Sequence, residues 1–550
     1  MKASSIAIAI AAAWGCATTA AQRPADRITT KDIEGPLRFL SDDLLEGRAP
    51  GTRGSEVAIK YLASELEAAG YVGGLVGADG KRSFLQPVPL VKYTSRSPKT
   101  ITFEHGGQKL ELDADGDSAQ VVVRSFADAA VIQTDHAELL FVGYGITAPE
   151  HGWDDYAGKD VRGKVVVLLN FNPPWAGERV RLQSGRWDYK FDNAARHGAA
   201  GALLIHTTES AGYPWQVVSA SQRQTGYSLP PEGEPRTPFQ GWLTEDAARR
   251  IFQLGHRDLD TEAKTATDPA GKGAPETPLR VTASFTLSVT HETIQSANVL
   301  GLLPGTDATL RDELVVYSAH HDHLGMRPAA PGVDGIYNGA LDNASGCATL
   351  LAIARAAAAS PPKRSLLFLF VTAEEQGLLG SRYLAQHPPA PAGRIAADIN
   401  VDSVNRFGRT SDVSLLGLGK SSLDAIVKDV AASQGRTIHG DPFPDRGSFY
   451  RSDQLEFARI GVPVVYAKGG PHYLGRPDQW GQEQHAEYER KHYHQPSDEY
   501  PRAPDGWDLS GALEDAKLQL EVGLRIADDP QLPRWTPGDE FESARKQAAR

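Results

Sequence analysis

From Asn298 onward, wholly apolar runs alternate with helix-like stretches: "NVLGLLPG", "ELVVYSAHHD", a helical pattern over 345–359, "RSLLFLFVTAEE", a second over 380–386, then "IAADINVDSV". A strand with one wet face alternates apolar and polar residues, so unbroken apolar strands must be covered on both faces. Their alternation with helices predicts an α/β fold whose mostly parallel mixed sheet carries helices on both sides. Ligands of such sheets collect beyond the carboxyl ends of the strands. Several of these runs end in His, Asp or Glu, and the chemistry is to be sought there.

The strand predicted over 313–319 ends in "SAHHDHLG", which carries His320, His321, Asp322 and His323. Side chains of a strand alternate between faces, so His320 pairs with Asp322 and His321 with His323. His321 with His323 would make the HxH pair of barrel-type metal hydrolases; His320 with Asp322 would make a ligand and its orienting carboxylate. Spacing leaves both open. The run "LFLFVTAEEQG" leads directly into Glu374 and Glu375, whose like charges repel unless a cation or a shared proton relieves them. A solvated helix start is the bland alternative; beside metals, one glutamate would be a ligand and the other a base. Asp402 ends "INVDSV", Asp342 sits in "GALDNASGC", and "KHYHQPSD" holds His492 and His494 around Tyr493. Each alone reads as a turn aspartate, a helix cap or a surface histidine. Together they indicate one metal site, because the bland reading would have to hold separately at successive strand ends. Histidines and carboxylates without a thiolate suit Zn²⁺, with Mn²⁺ or Co²⁺ as alternatives.

The segments "NVLGLLPG", "SAHHDHLG", "GALDNASG", "VTAEEQGLLGS", "NVDSV" and "YHQPSDE" resemble, in order, the motifs of the two-zinc exopeptidases, the leucyl-aminopeptidase-like and glutamate-carboxypeptidase-like enzymes of metallopeptidase family twenty-eight. The resemblance covers roughly residues 30–120 and 290–530. It implies two Zn²⁺ per chain: His320 and Asp402 on one, Glu375 and His494 on the other, Asp342 bridging them. It also implies that Asp322 orients His320, that Glu374 is the general base and that Tyr493 steadies the substrate carbonyl oxygen, while His321 and His323 face away. The implied activity is that of a zinc aminopeptidase acting on peptides. A carboxypeptidase or dipeptidase with the same metals is the nearest alternative. The adjacent glutamates favour a hydrolase over a glutaminyl-cyclase-like transferase. The filled ligand positions speak against a non-catalytic binding protein, and neither an early HxH strand nor an eightfold β/α rhythm supports a barrel. In "YRSDQLEF" the chain departs from the family, where His often follows the Asp; here Gln454 does.

The middle region, with "GKDVRGKVVVL" and "AARHGAAGALLI", resembles the protease-associated domain inserted in such enzymes and predicts a β-rich module. The expected plan is a signal peptide over 1–21, the N-terminal part of the peptidase domain over 22–125, the insert over 126–290, the main peptidase domain over 291–530 and a C-terminal tail over 531–550. A Pro/Gly/Thr cluster at 269–278 reads as a boundary loop. The opening "MKASSIAIAIAAAWGCATTAAQ" has an apolar run well short of the ~20 residues that span a bilayer, so it reads as an export signal. Gly15-Cys16 offers a lipoprotein signal, with Cys16 as lipid anchor, as the alternative. Either route places the protein outside the cytoplasm, periplasmic or secreted. Cys16 and Cys347 are the only cysteines, so the mature chain is expected to hold itself together by packing or metal, without an internal disulfide. A balance of 57 basic against 69 acidic residues, net −12, argues against nucleic acid as a partner.

Overall fold

The computed structural model describes residues 23–548 except 117, 177–181, 212–213, 223–224, 233–234, 268–272, 274–276 and 501–506. The expected export signal, Cys16 and most of the 269–278 loop lie outside the described residues.

The strand Leu314–His320 lies between Ser365–Val371 and Ile395–Asn400, parallel to both. Ile395–Asn400 continues in parallel to Val464–Gly469, beyond which Asp412–Leu416 runs antiparallel and Thr437–His439 closes the edge. On the other side, Ser365–Val371 meets the end of the strand Thr277–Leu303 in antiparallel pairing. Every residue of Leu314–His320, Ser365–Val371 and Ile395–Asn400 is buried, as expected of parallel strands covered twice. On one face, helices Thr30–Leu40, Arg53–Ala68, Ser345–Ala358 and Ser510–Asp528 supply Leu37, Leu62, Ile353 and Val522 against Val315, Tyr317 and Phe368. On the other, Leu384 of Leu379–Gln386 and Phe457 of Gln454–Arg459 pack on Val316, Leu367 and Leu369. Trp535 and Phe541 belong to that second layer, so residues beyond 530 form part of the core. The architecture is the α/β fold predicted, with a mostly parallel mixed sheet between helices. Among the described residues no helix is long and apolar enough to cross a membrane.

The middle region extends the same hydrogen-bonded sheet with a second group of strands. Val131–Phe141, Val165–Leu169, Gly201–His206 and Phe239–Thr244 pair in parallel in that order, and Val121–Arg124 adds an antiparallel edge. Phe191 of the helix Trp187–Arg196 packs into one apolar cluster and Ile251 of Glu245–Leu254 into another. The 27-residue strand Thr277–Leu303 joins this region to the main sheet. Its first half pairs with Val131–Phe141 and its second with Leu85–Arg96. Burial alternates along the first half and becomes nearly continuous from Ser296, where the strand passes from a half-exposed ribbon into the covered sheet. Position 290 therefore falls within a strand. The two regions also touch through Arg186, whose guanidinium donates to the Tyr450 carbonyl and pairs with Asp188 at 2.9 Å, while Arg459 approaches the same carboxylate.

Candidate metal centre

His320, Asp342, Glu374, Glu375, Asp402 and His494 converge at the carboxyl edge of the parallel strands, whereas the His492 Nδ1 lies 2.9 Å from the Ser497 hydroxyl. His320 is the last residue of its strand, Glu374 and Glu375 follow Val371, and Asp402 follows Asn400. Asp342 comes from the segment Ala340–Ala344 that leads into the helix Ser345–Ala358, and its peptide bond to Asn343 is cis. His494 arrives from the loop after the helix Trp480–Lys491.

The His320 Nε2 atom stands 3.2 Å from Asp342 Oδ1 and 3.6 Å from Asp402 Oδ1. The His494 Nε2 atom stands 3.3 Å from Asp342 Oδ2 and 3.0 Å from Glu375 Oε2. Asp342 thus offers one oxygen to each histidine, the disposition expected of a bridging carboxylate. His320, Glu374 and Asp402 form one group whose potential ligand atoms lie within 4.8 Å of one another, and His323, Asp342 and Glu375 form another. His320 Nε2, His494 Nε2, Glu375 Oε1 and both ring nitrogens of His323 are buried without a hydrogen-bond partner. A polar atom left so costs about 1–3 kcal/mol. Nitrogens this close to carboxylate oxygens yet misaligned for hydrogen bonding are arranged as donors around cations, so the residues fit zinc.

The backbone is bent to achieve this. Ala373, Ser403 and His494 have φ of 56°, 65° and 58°, a left-handed conformation uncommon for non-glycine residues. Gly339 has φ 54°, and a Cβ there would meet the Asp342 carbonyl at 2.2 Å and the His323 ring at 2.4 Å. Such strain persists only where the surroundings impose it. Asn343 supplies part of that constraint: its Oδ1 accepts from the amides of Gly346 and Ser403, each at 3.0 Å, and its Nδ2 donates to the Val401 carbonyl. Asp498 supplies more, its two oxygens accepting from the amides of Leu341 and Asp342, each at 3.1 Å.

Asp322 is buried, but its carboxylate is 3.9 Å from His320 Nδ1. The nearer group is the Asp322 carbonyl oxygen, at 3.3 Å. The carboxylate instead accepts from the amides of Glu374 at 3.1 Å and Glu375 at 3.4 Å. It therefore fixes the two-glutamate turn, an arrangement that alternation along one strand does not reveal. Burial raises the Asp322 pKa to about 6.

Electrostatics separate the adjacent glutamates. Burial raises Glu374 well above the ordinary carboxylate range against the pull of His320, and the nearby charges of Glu375, Asp453 and Asp402 add to it. Burial would raise Glu375 too, but His494 and His323 hold it down to about 2. Burial likewise opposes the ionisation of Asp342, which its contacts with His320 and His494 nevertheless hold well below the usual range. Tyr493 stacks on His494 with ring centroids 3.8 Å apart, and desolvation pushes its phenol up to about 12, so it remains a hydrogen-bond donor at neutral pH.

The expectation that His321 and His323 face away together is corrected. The strand ends at His320, so strict alternation stops there. His321 turns into the core: its Nε2 lies 3.0 Å from the Ala297 carbonyl, and burial lowers its pKa to about 4. His323 turns back into the site, its Nδ1 2.6 Å from Glu375 Oε1. Arg48, which nothing in its local sequence marks, is fully buried behind the cluster. It donates to the carbonyls of His321 at 2.9 Å, Asn338 at 2.6 Å and Gly339 at 3.0 Å, and to that of Leu40. Gln454 bridges the core, accepting from Asn400 Nδ2 at 2.6 Å and donating to the Phe449 carbonyl at 2.7 Å. Its neighbour Asp453 accepts from Ser381 at 2.6 Å, and burial raises its carboxyl to about 7.

Comparison with known proteins places this geometry among relatives. Residues 298–516 match the family model described as "Peptidase family M28". A "Probable zinc metalloprotease" of Pyrenophora tritici-repentis (strain Pt-1C-BFP) is 38% identical over 173 residues, 29% of this chain and 39% of that protein. One from Phaeosphaeria nodorum is 28% identical over 201 residues, covering 32% of this chain and 40% of the relative. The chain thus matches about two fifths of the length of these curated relatives. Among solved structures, an aminopeptidase from Aneurinibacillus sp. strain AM-1 superposes with a TM-score of 0.50 at 18% identity, over 92% of this chain and 96% of that one. At that identity the likeness is one of fold.

Proposed function

Residues 298–516 form a domain of peptidase family M28, and from that premise we propose that this chain is an exported zinc aminopeptidase holding two metal ions per chain. The observation that carries the reading is the set of unsatisfied imidazole nitrogens facing Asp342, Glu375 and Asp402 at one sheet edge. His320 and Asp402 would hold one ion, Glu375 and His494 the other, and Asp342 both. Bound zinc supplies Lewis acidity, lowering the pKa of water and polarising a carbonyl.

The protein's own part is positioning and proton transfer. Glu374 adjoins a ligand, is held by the Asp322 carboxylate through its backbone amide, and has a proton affinity above that of an ordinary carboxylate. It takes a proton from the attacking water and passes it to the leaving amine, a role suited to a carboxylate held above its ordinary proton affinity by burial. The Tyr493 hydroxyl donates to the substrate carbonyl oxygen as negative charge grows on it. Asp322 positions Glu374 and Glu375 together. Cleavage at the amino end, with peptides as substrates, follows the aminopeptidase of like fold. The export signal over 1–21 and the protease-associated character of the insert belong to the same reading, with the insert limiting which peptides reach the site.

Free peptides, their N-acetylated counterparts and aminoacyl amides, each with and without chelator, test this directly. Hydrolysis of the free peptides and amides is expected to stop on chelation and on N-acetylation. Cleavage indifferent to N-acetylation would count against aminopeptidase action, and release of C-terminal residues would favour the carboxypeptidase alternative.

A further inference from the structure

A second His/carboxylate cluster stands near the sheet edge closed by Thr437–His439, on strands that contribute nothing to the centre described above. Asp412 opens the strand Asp412–Leu416, His439 ends Thr437–His439, and His472 lies just beyond Val464–Gly469. The pairing of those three strands brings the residues together. One potential ligand atom from each lies within 4.8 Å of the others. His472 Nδ1 is 2.6 Å and His439 Nε2 3.7 Å from Asp412 Oδ2. These separations bracket the 3.0–3.6 Å between the imidazoles of His320 and His494 and their carboxylates in the main centre.

The carboxylate is built into the fold. Asp412 is only 1% exposed, and its Oδ1 accepts from the His472 amide at 3.1 Å. The chain passes so close to it that a Cβ at Gly470 would meet the carboxyl atoms at 2.3–2.5 Å. The His472 carbonyl accepts from the Ser411 amide at 2.9 Å, so the loop bearing this imidazole is fixed on both sides. The two imidazoles remain open to solvent, with side chains 53% and 44% exposed. The neighbouring Arg436 donates to the Asp412 carbonyl at 3.0 Å and pairs with Asp515 at 2.8 Å.

We propose that Asp412, His439 and His472 form a further divalent-metal site of the zinc class, separate from the peptidase centre. Two imidazoles and one carboxylate leave a coordination position for water and suit a borderline-soft transition ion better than Ca²⁺ or Mg²⁺, which prefer oxygen. Binding replaces the proton shared by His472 and Asp412 with the cation. The ion ties the edge strand Thr437–His439 and the 470–474 loop to Asp412.

The full chain, stripped by chelator and titrated with Zn²⁺ against a chromophoric competitor, tests this. The wild type should take up three equivalents, and the third should raise Tm. His439→Ala should take up two and lose that increment while peptidase turnover is unchanged. This substitution is tolerable because the imidazole is half exposed and its other polar neighbour is the Thr437 hydroxyl, at 3.3 Å. A His320→Ala/Glu375→Ala chain should keep one equivalent, which adding His439→Ala removes; this arm stands even if the two-zinc reading fails. Three equivalents in His439→Ala, or no equivalent left in the His320→Ala/Glu375→Ala chain, would overturn the proposal.

Discussion

His323 shows how much one side chain adds to a metal site without being required by the family pattern. Its Nδ1 stands 2.6 Å from the Glu375 oxygen that His494 does not approach, and its ring is fully buried, so close to Gly339 that a Cβ there would meet it at 2.4 Å. Groups that orient ligands contribute ~10–100-fold to metal affinity. His323→Ala should therefore weaken one zinc by about that factor, measured by chelator competition, whereas His321→Asn should leave zinc affinity unchanged and lower stability only. Equal zinc loss in both variants would contradict the distinction. Cys347 carries a different expectation. It is fully buried and its thiol is pushed up to about 12 by burial, so in a Cys16→Ser chain a thiol reagent at pH 8 should react only after unfolding. That His320, Asp342, Glu375, Asp402 and His494 belong together was legible from motif order, and the structure brings them to one sheet edge. His323 was not, because two-residue alternation was carried past the end of a strand. The actual contacts of Asp322 were hidden for the same reason.

At the level of elements, Arg48 and Asp188 are the joints. Arg48 ties the end of the helix Thr30–Leu40 to the segments bearing His321 and Gly339. Arg48→Met would leave buried carbonyls without donors at a cost of ~1–3 kcal/mol each. A large fall in Tm with weakened zinc retention is expected; unaltered thermal unfolding would refute this role. Asp188 sits between Arg186 and Arg459 where the middle region meets the segment around Tyr450 and Arg459. Burial works against its charge, yet the two arginines hold it well below the usual carboxylate range. A carboxyl whose folded pKa is depressed contributes stability that is complete above its unfolded value, ~3.9, and is lost as pH falls through the folded one. The Tm difference between wild type and Asp188→Asn should therefore be constant from pH 8 to about 5 and shrink below about 4. A difference that grows on acidification would contradict this. The strands and helices themselves were readable because burial on both faces writes itself as unbroken apolar runs. The joints were not, since they depend on single arginines meeting residues hundreds of positions away.

Across the whole molecule, a sheet covered on both faces presents its strand ends at one edge, and the chain uses that edge to gather carboxylates and imidazoles that no local segment could bring together. The α/β architecture followed from the alternation after Asn298. The continuous strand Thr277–Leu303 did not, because its exposed, polar stretch around Thr290–Gln295 reads as a break, while pairing with Leu85–Arg96 keeps it extended. The central claim is that this edge holds two zinc ions and that Glu374, held beside them but not needed to bind them, moves the proton. Zinc content and peptide turnover of Glu374→Gln, measured on the same preparation, test it most directly. Two zinc ions per chain at the peptidase centre with turnover reduced by about 10²–10⁴-fold is the predicted result; normal turnover, or zinc lost in step with activity, would contradict it.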